Sequence, residues 1–180
     1  MKIYNGHPES LDGRTETETG TYALLDSLGI SYITACHDPA FTMEECEAVE
    51  KDLGVGICKN LFLCNRQQTR FYLLMIPADK VFKTKYLSSQ LGCARLSFAP
   101  EEKMVELLGI HPGAVSPMGL RNDTSLIVEP IIDRDLLGQE FIGCHPCVNT
   151  ATLRLRLSDI LDIYAPATGH RFTVVDLLPG

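Results

Sequence analysis

The 180-residue sequence has no tryptophan, and aromatic residues make up only 7% of it. No stretch approaches the 18 or more apolar residues of a membrane-spanning helix, and the first residues lack a signal-peptide layout. Acidic residues outnumber basic ones by 23 to 16, which argues against a broad cationic surface for duplex DNA but not against a small patch for a few phosphates. These absences predict a cytoplasmic protein without a membrane or DNA partner.

Motifs for common chemistries are also missing. No G-x-S-x-G, Walker A or Rossmann fingerprint occurs, so nothing local indicates a serine hydrolase, a P-loop enzyme or a dinucleotide-binding enzyme. The seven cysteines are odd in number and scattered along the chain, which favours reduced thiols over a disulfide framework.

The pattern of apolar residues predicts helices that alternate with short strands. A capping box, Thr42 with Glu45, begins a helix that Gly54 ends. "CKNLFLCN" and "FYLLMI" predict two strands joined by a polar link. We therefore expect an α/β fold: a single domain over residues 1–180 with a mixed, curved β-sheet flanked by helices, and with residues 1–18 loosely ordered.

Lys59 stands alone as a charge within "GVGICKNLFLCN", a run typical of a buried strand. It either reaches water from a strand end or pairs with a carboxylate, or it is held in a partly dry cleft to meet an anionic ligand. Its neighbour Asn60 would face the opposite side of a regular strand, so both residues can serve one site only near a bend or bulge.

Two loops are further candidates for a site. Gly113-Ala114-Val115-Ser116-Pro117 is a G-x-x-x-P turn whose backbone groups can face a ligand, although many such loops only connect elements. In "GCHPCVNTAT", Cys144 and Cys147 form a C-x-x-C pair, which is typical either of redox or zinc chemistry or of two packed thiols. His145 can orient a substrate hydroxyl, or it can cap a turn.

In this order, "CKNLFL", "LSFAPEEKMVELLGIHPGAVSPMGL" and "HPCVNTATL" resemble the freestanding prolyl-tRNA editing domains, the YbaK/ProX-type trans-editing deacylases. "HDPAFTMEE" resembles the early strand-to-helix junction of the same family, and the resemblance extends from about Thr21 to Leu178. It implies an enzyme that hydrolyses a wrong amino acid from tRNA-Pro. Such a second sieve is needed because a missing methylene or two is worth only ~1–3 kcal/mol of discrimination.

The resemblance also implies roles for individual residues. Lys59 would hold the phosphate and ribose end of the tRNA, with Asn60 near the ribose or the aminoacyl group. The loop from Gly113 to Pro117 would meet the α-amino group and the ester carbonyl, and His145 would line the aminoacyl pocket. The implied catalytic set is Lys59, Asn60, Gly113, Ser116, Pro117 and His145. The implied substrate-binding set is Phe41, Ala114, Val115, Asn149 and Thr150. Lys80, Lys83, Lys85 and Arg95 would contact the acceptor stem, unless they form a solvated helix face.

The implied reaction is substrate-assisted ester hydrolysis without a cofactor or metal, in which the 2′-hydroxyl of the terminal ribose positions or deprotonates a water. Asn60 favours alanine as the amino acid removed. Cys144 and Cys147 stand where the family commonly has bulky apolar residues, so cysteine or another small amino acid stays an alternative. The implied partner is the acceptor end of mischarged tRNA-Pro, with prolyl-tRNA synthetase a further candidate. A binding module without turnover and a thiol or metal protein are the alternatives from other classes.

Overall fold

The strands divide between two sheets in this computed structural model, which describes residues 1–40 and 42–177, with only the backbone of Met43. In chain order the strands are β1 (Lys2–Asn5), β2 (Tyr32–Cys36), β3 (Lys59–Asn65), β4 (Phe71–Ile76), β5 (Leu96–Phe98), β6 (Val128–Asp133), β7 (Phe141–Cys144), β8 (Ala151–Arg156) and β9 (Thr173–Val175). The main helices are α1 (Glu16–Ser27), α2 (Met43–Leu53), α3 (Thr84–Leu91) and α4 (Glu101–Leu108). Two 3₁₀ helices follow, Pro117–Asn122 and Arg134–Leu136, and then a helical stretch made of α5 (Leu157–Asp159), a π-helical turn (Ile160–Tyr164) and α6 (Ala165–Ala167).

The first sheet has the order β1-β2-β8-β7 and is antiparallel throughout. The second has the order β5-β3-β4-β6-β9 and is mixed, because β3 runs antiparallel to both its neighbours while β4, β6 and β9 are parallel. The predicted α/β class with a mixed sheet and flanking helices is confirmed. The prediction had placed all strands in one sheet, and the structure separates them into two.

The two sheets meet where the chain passes from residue 56 into β3. The Gly143 amide in β7 donates to the Gly56 carbonyl at 3.0 Å, and the Cys58 amide donates back to the Gly143 carbonyl at 3.3 Å. Glycine at position 143 favours this close approach, since a Cβ there would lie 3.0 Å from Ile57 Cγ1, a tight contact. Lys59 follows Cys58 and begins β3 of the second sheet. The single charge of this apolar run therefore lies at the junction of the two sheets around residues 56–59 and Gly143, which we call the seam.

Apolar side chains fill the space between the sheets and cover the outer face of the second one. One cluster joins α1 and α4 to the inner faces of both sheets, with Tyr22, Leu108 and Leu153 among its fully buried members. Another packs α3 on the opposite face of the second sheet through Leu87 and Leu74. Burial on both faces explains why β4 reads as an uninterrupted apolar run.

Helix α2 covers one side of the first sheet and forms as its sequence predicts. Thr42 and Glu45 make the reciprocal capping box, and Gly54 ends the helix in the left-handed conformation at φ +65°. Val49 and Leu53 pack on Ala35 of β2. Within the described residues, none of the helices has the length and apolar character needed to cross a bilayer.

The expectation of loose order at the start of the chain needs a correction. Residues 2–5 form β1, which pairs with β2 in register from Lys2 opposite Cys36 to Asn5 opposite Ile33. Backbone pairing at a sheet edge stabilises this segment although its side chains are mostly exposed.

Candidate active site

Two adjoining cavities open at the seam between the sheets. The larger lobe has a volume of about 460 Å³ and the smaller lobe about 210 Å³, and they share four wall residues: Ile57, Cys58, Gly113 and His145. The larger lobe is completed by His37, Ala40, Cys46, Val49, Glu50, Lys59, Ala78, Pro112, Asn149 and Thr152. The smaller lobe is completed by Asn60, Val115 and Cys144.

Lys59 contributes a half-buried ammonium to the larger lobe. Its Nζ donates to the backbone carbonyl of Lys80 at 2.8 Å. No carboxylate of the described chain forms an ion pair with it. A carbonyl uses one of three ammonium donors and leaves the charge unneutralised, so the group can receive an anion.

Asn60 lies in the smaller lobe because β3 alternates regularly from its first residue. Its Nδ2 and Oδ1 lie 3.7 and 3.8 Å from Cys58 Sγ, so its amide contacts the thiol of Cys58. A bend is therefore not needed for both residues to serve one site. Lys59 and Asn60 face opposite sides of the strand and each lines a different lobe.

Only Gly113 and Val115 of the G-x-x-x-P loop line a cavity. Gly113 has φ +91°, a left-handed conformation that favours glycine. Ala114, Ser116 and Pro117 are buried, and the Ser116 hydroxyl accepts from the Met118 amide at 3.1 Å to cap the 3₁₀ helix that follows. The Ser116 hydroxyl therefore shapes the loop, and the contact of the loop backbone with the substrate, which the resemblance implies, stays a prediction.

His145 is held as a neutral ring on the wall of both lobes. Its Nδ1 lies 2.7 Å from the Ala151 carbonyl, which can only accept, so Nδ1 carries the proton and Nε2 is an acceptor. Burial lowers the pKa of His145 below its ordinary value, and the nearby His37 ring adds to that effect.

His37 belongs to the same wall but is not singled out by the sequence. Its Nδ1 lies 2.7 Å from the Asp38 carbonyl, and its Nε2 accepts from the Thr152 hydroxyl at 2.8 Å. The His37 and His145 ring centres are 6.5 Å apart. In the sequence, His37 is marked only by its position at the end of β2.

Glu50 is another residue that the sequence does not reveal, and its Oε1 accepts from the Ile57 amide at 2.8 Å. Glu50 is marked only by its position on the side of α2 that faces the sheet.

The lowered pKa of His145 predicts a loss of stability in mild acid. The unfolded ring protonates near pH 6.5, whereas the folded ring does so at lower pH. The free energy of unfolding contributed by the neutral ring is thus complete above pH 6.5 and is lost as the pH falls through the folded pKa. Thermal unfolding measured between about pH 7 and pH 5 should show a smaller decrease for His145→Gln than for the unsubstituted protein.

The matched control for this pH dependence is His111→Gln, because His111 is exposed in the loop before Gly113. Its unfolding should change with pH as in the unsubstituted protein. If His145→Gln and the unsubstituted protein lose stability in parallel, a partly buried ring held neutral by the fold is refuted.

The two cysteines of the C-x-x-C pair are packed in the core. Cys144 and Cys147 are 1% and 4% exposed, and burial raises the pKa of Cys147 to about 11 and that of Cys144 still further. Such thiols form little of the thiolate that redox exchange or metal binding requires. Only Cys144 lines a lobe, while the Cys147 thiol lies 3.6 Å from Thr21 Oγ1.

Lys80 does not belong to an exposed RNA-binding surface, so this prediction is wrong. Its side chain is 7% exposed, and its Nζ contacts Asp133 Oδ2 at 2.6 Å and Asp135 Oδ2 at 2.8 Å. Burial opposes its charge, but the hydrogen bonds to the two carboxylates prevail and raise the pKa of Lys80. A neutralised, buried ammonium is not available to phosphate.

Lys83, Lys85 and Arg95 do share one surface. They line a broad depression at α3 together with Phe82, Thr84 and Ser88, and all three cations are exposed. In the described structure none of them is in an ion pair. The ammonium groups of Lys83 and Lys85 lie 5.9 and 5.3 Å from the ring centre of Tyr86.

Of the remaining predicted substrate-binding residues that the structure describes, one lines the cavity and one does not. Asn149 lines the larger lobe. Thr150 has an exposed side chain outside the cavity walls, and it acts on the site only through its carbonyl, which accepts from the His37 amide at 3.0 Å. Phe41 lies outside the described residues.

Comparison with known proteins places this geometry in a family. Residues 37–163 match the model of the aminoacyl-tRNA editing domain. The chain is 35% identical to the prolyl-tRNA editing protein ProX of Acetoanaerobium sticklandii over 162 residues, which is 90% of this chain and 98% of the relative. It is 34% identical to prolyl-tRNA synthetase associated domain-containing protein 1 of Danio rerio over 139 residues, 76% of this chain and 75% of that protein.

A solved structure described as a candidate trans-editing enzyme for prolyl-tRNA synthetase superposes with a TM-score of 0.67 at 20% identity, covering 92% of this chain and 99% of that one. At this identity the likeness concerns the fold alone. The family match and the ProX relative show that the chain belongs to the aminoacyl-tRNA editing domain family, and the recognition of a prolyl-tRNA editing domain is confirmed. The predicted class of enzyme, an aminoacyl-tRNA deacylase, is confirmed with it.

Proposed function

We propose that this protein hydrolyses the ester between a small non-cognate amino acid, most readily alanine, and the terminal ribose of tRNA-Pro. The observation that carries the proposal is the two-lobed cavity at the seam, where an unneutralised ammonium, a glycine loop and a neutral imidazole lie together. A cation in a partly dry cleft binds an anion more strongly than a cation in water.

The two lobes divide the substrate between them. The larger lobe takes the terminal adenosine, whose phosphate meets Lys59. The smaller lobe takes the aminoacyl group, between Asn60 and the backbone at Gly113. His145, which lines both lobes, offers Nε2 as an acceptor for a ribose hydroxyl or the α-amino group.

The exposed cations of the α3 depression are proposed to contact the acceptor stem. The chain from Ala78 to Lys83 borders the larger lobe at its start and the depression at its end, which supports a continuous path for the RNA. Three exposed cations, two of them beside Tyr86, suit a short single-stranded end and the first acceptor pair, despite the net charge of −7. The name of the zebrafish relative favours prolyl-tRNA synthetase as a further partner.

Hydrolysis is proposed to depend on positioning by the protein and on help from the substrate. Water adds to the ester carbonyl carbon, the bond from that carbon to the ribose 3′-oxygen breaks, and a proton from the water ends on the departing 3′-oxygen. The vicinal 2′-hydroxyl orients the water and relays the proton. The loop at Gly113 supplies backbone dipoles near the carbonyl where negative charge develops.

The walls of the smaller lobe favour a small side chain. Cys58 and Cys144 lie there with Val115 and Ile57, so a methyl group or a thiol meets apolar and sulfur contacts. Asn60 favours alanine, in line with the sequence, and cysteine is the competing substrate that the assay must separate.

A deacylation panel on tRNA-Pro charged with alanine, cysteine, serine or proline tests the proposal. We expect alanine to be released fastest and proline to be spared by about 100-fold or more. Faster release of cysteine would reassign the substrate. Binding of charged tRNA without release of any amino acid would refute hydrolysis.

A further inference from the structure

Lys80 sits where parallel strands end together. Its turn, residues 77–80, leaves the carboxyl end of β4, which lies beside the carboxyl end of β6, with Met75 opposite Ile132. Asp133 is the last residue of β6. Lys59 begins the antiparallel β3 directly opposite Ile76, so all three residues meet at one edge of the second sheet.

Two polar contacts connect the buried carboxylate to the active-site ammonium. Asp133 is 0% exposed, and its Oδ2 accepts from Lys80 Nζ at 2.6 Å while its Oδ1 accepts from the Leu177 amide at 3.1 Å. Lys80 in turn offers its backbone carbonyl to Lys59 Nζ at 2.8 Å. The Lys80 amide also closes the turn on the Pro77 carbonyl at 3.1 Å.

We propose that Lys80 is a positioning residue: its side chain, clamped between Asp133 and Asp135, holds the 77–80 turn so that its carbonyl anchors the Lys59 ammonium at the larger lobe. This inference rests on the proposed role of Lys59. A long flexible ammonium needs such an anchor to keep one orientation, since lysine loses considerable rotamer entropy when it is held. The same turn carries Ala78, a wall of the lobe.

A double-substitution cycle distinguishes positioning from simple stabilisation. Lys80→Met, Lys59→Met and the double variant are compared in single-turnover deacylation of alanyl-tRNA-Pro, with thermal unfolding measured for each. We expect Lys80→Met to slow the reaction by about 10-fold or more in the native background and to add less than about 2-fold in the Lys59→Met background. If the Lys59→Met rate reaches that of spontaneous ester hydrolysis, the affinity of the same proteins for uncharged tRNA-Pro is compared instead, with the same expected non-additivity.

The matched control is Arg70→Met. Arg70 and Glu129 form an ion pair at 2.8 Å across the opposite ends of the same two strands, β4 and β6, and both are exposed. Loss of that pair should leave the rate unchanged. If Lys80→Met does not fold, Asp135→Asn takes its place, because Asp135 is 59% exposed and its loss should preserve the core.

The possible failures are separable. An unchanged rate for Lys59→Met refutes the role of Lys59 on which this inference rests, whereas no deacylation by the unsubstituted protein refutes the proposed function. If Lys59→Met is slow but Lys80→Met reacts at the native rate, the positioning role alone is refuted. The same holds if the loss caused by Lys80→Met multiplies with the loss caused by Lys59→Met. The same criteria decide the outcome when Asp135→Asn is the variant used.

Discussion

Lys59→Met should slow deacylation of alanyl-tRNA-Pro by on the order of 100-fold. Methionine keeps most of the length and apolar stem of lysine, so the larger lobe should retain its shape while the charge is lost. The ammonium is held by one carbonyl and is not neutralised by any carboxylate of the described residues, so its removal takes away an interaction reserved for the ligand. The assay is release of labelled alanine under single-turnover conditions.

Lys51→Met is the matched control for this loss. Lys51 lies exposed in the last turn of α2, close in sequence to the site but absent from the walls of both lobes. The Lys51→Met substitution changes the net charge by the same amount as Lys59→Met. Its deacylation rate should stay within about 2-fold of that of the unsubstituted protein, because exposed charges are screened by salt. Equal losses for the two variants would show a general electrostatic effect and refute a phosphate contact at Lys59.

Local sequence patterns predicted the elements well and the sheet arrangement less well. The capping box at Thr42, the stop at Gly54 and the strands β3 and β4 follow from interactions a few residues apart. The junction of the two sheets is formed by the close contact of Gly143 with Ile57, which are far apart in the chain. No periodicity in one segment can encode such a pairing. The edge strand β1 was missed for a similar reason, since its partner decides its structure.

The residues of the site show the same difference between local and distant information. Lys59 was identified because a charge in an apolar strand is unusual, and its place at the seam fits that reasoning. The sequence groups Lys80 with the cations of α3, which it precedes, but Asp133, about 50 residues later, neutralises it. No local pattern marks His37, because its role depends on Thr152 of a neighbouring strand. In each case the missing information was a partner distant in sequence.

The ribose of the substrate provides the second large expected effect. Alanyl-tRNA-Pro that ends in 2′-deoxyadenosine, with alanine on the 3′-oxygen, should be hydrolysed on the order of 100-fold more slowly than the ribose form. The smaller lobe, which takes the aminoacyl group, offers the acceptor His145 Nε2 and a Cys58 thiol whose pKa burial raises to about 12. The thiol is a poor nucleophile in that state. In the larger lobe His37 Nε2 already accepts from the Thr152 hydroxyl, and Glu50 Oε1 accepts from a backbone amide. The proposal therefore gives the proton relay to the 2′-hydroxyl.

A parallel measurement with His145→Gln separates the two candidate groups. If the imidazole orients the substrate and the hydroxyl relays the proton, the variant should still respond strongly to removal of the 2′-hydroxyl. If the imidazole were itself the base, the deoxy substrate would react nearly as fast as the ribose substrate in the unsubstituted protein, and the variant would lose most of its activity.

The comparison of ribose and 2′-deoxyribose alanyl esters, with binding of both measured independently, tests substrate-assisted hydrolysis most directly. We predict similar binding and a rate ratio on the order of 100 in favour of the ribose form. Equal rates for two equally bound substrates would contradict the mechanism and require a catalytic base from the protein.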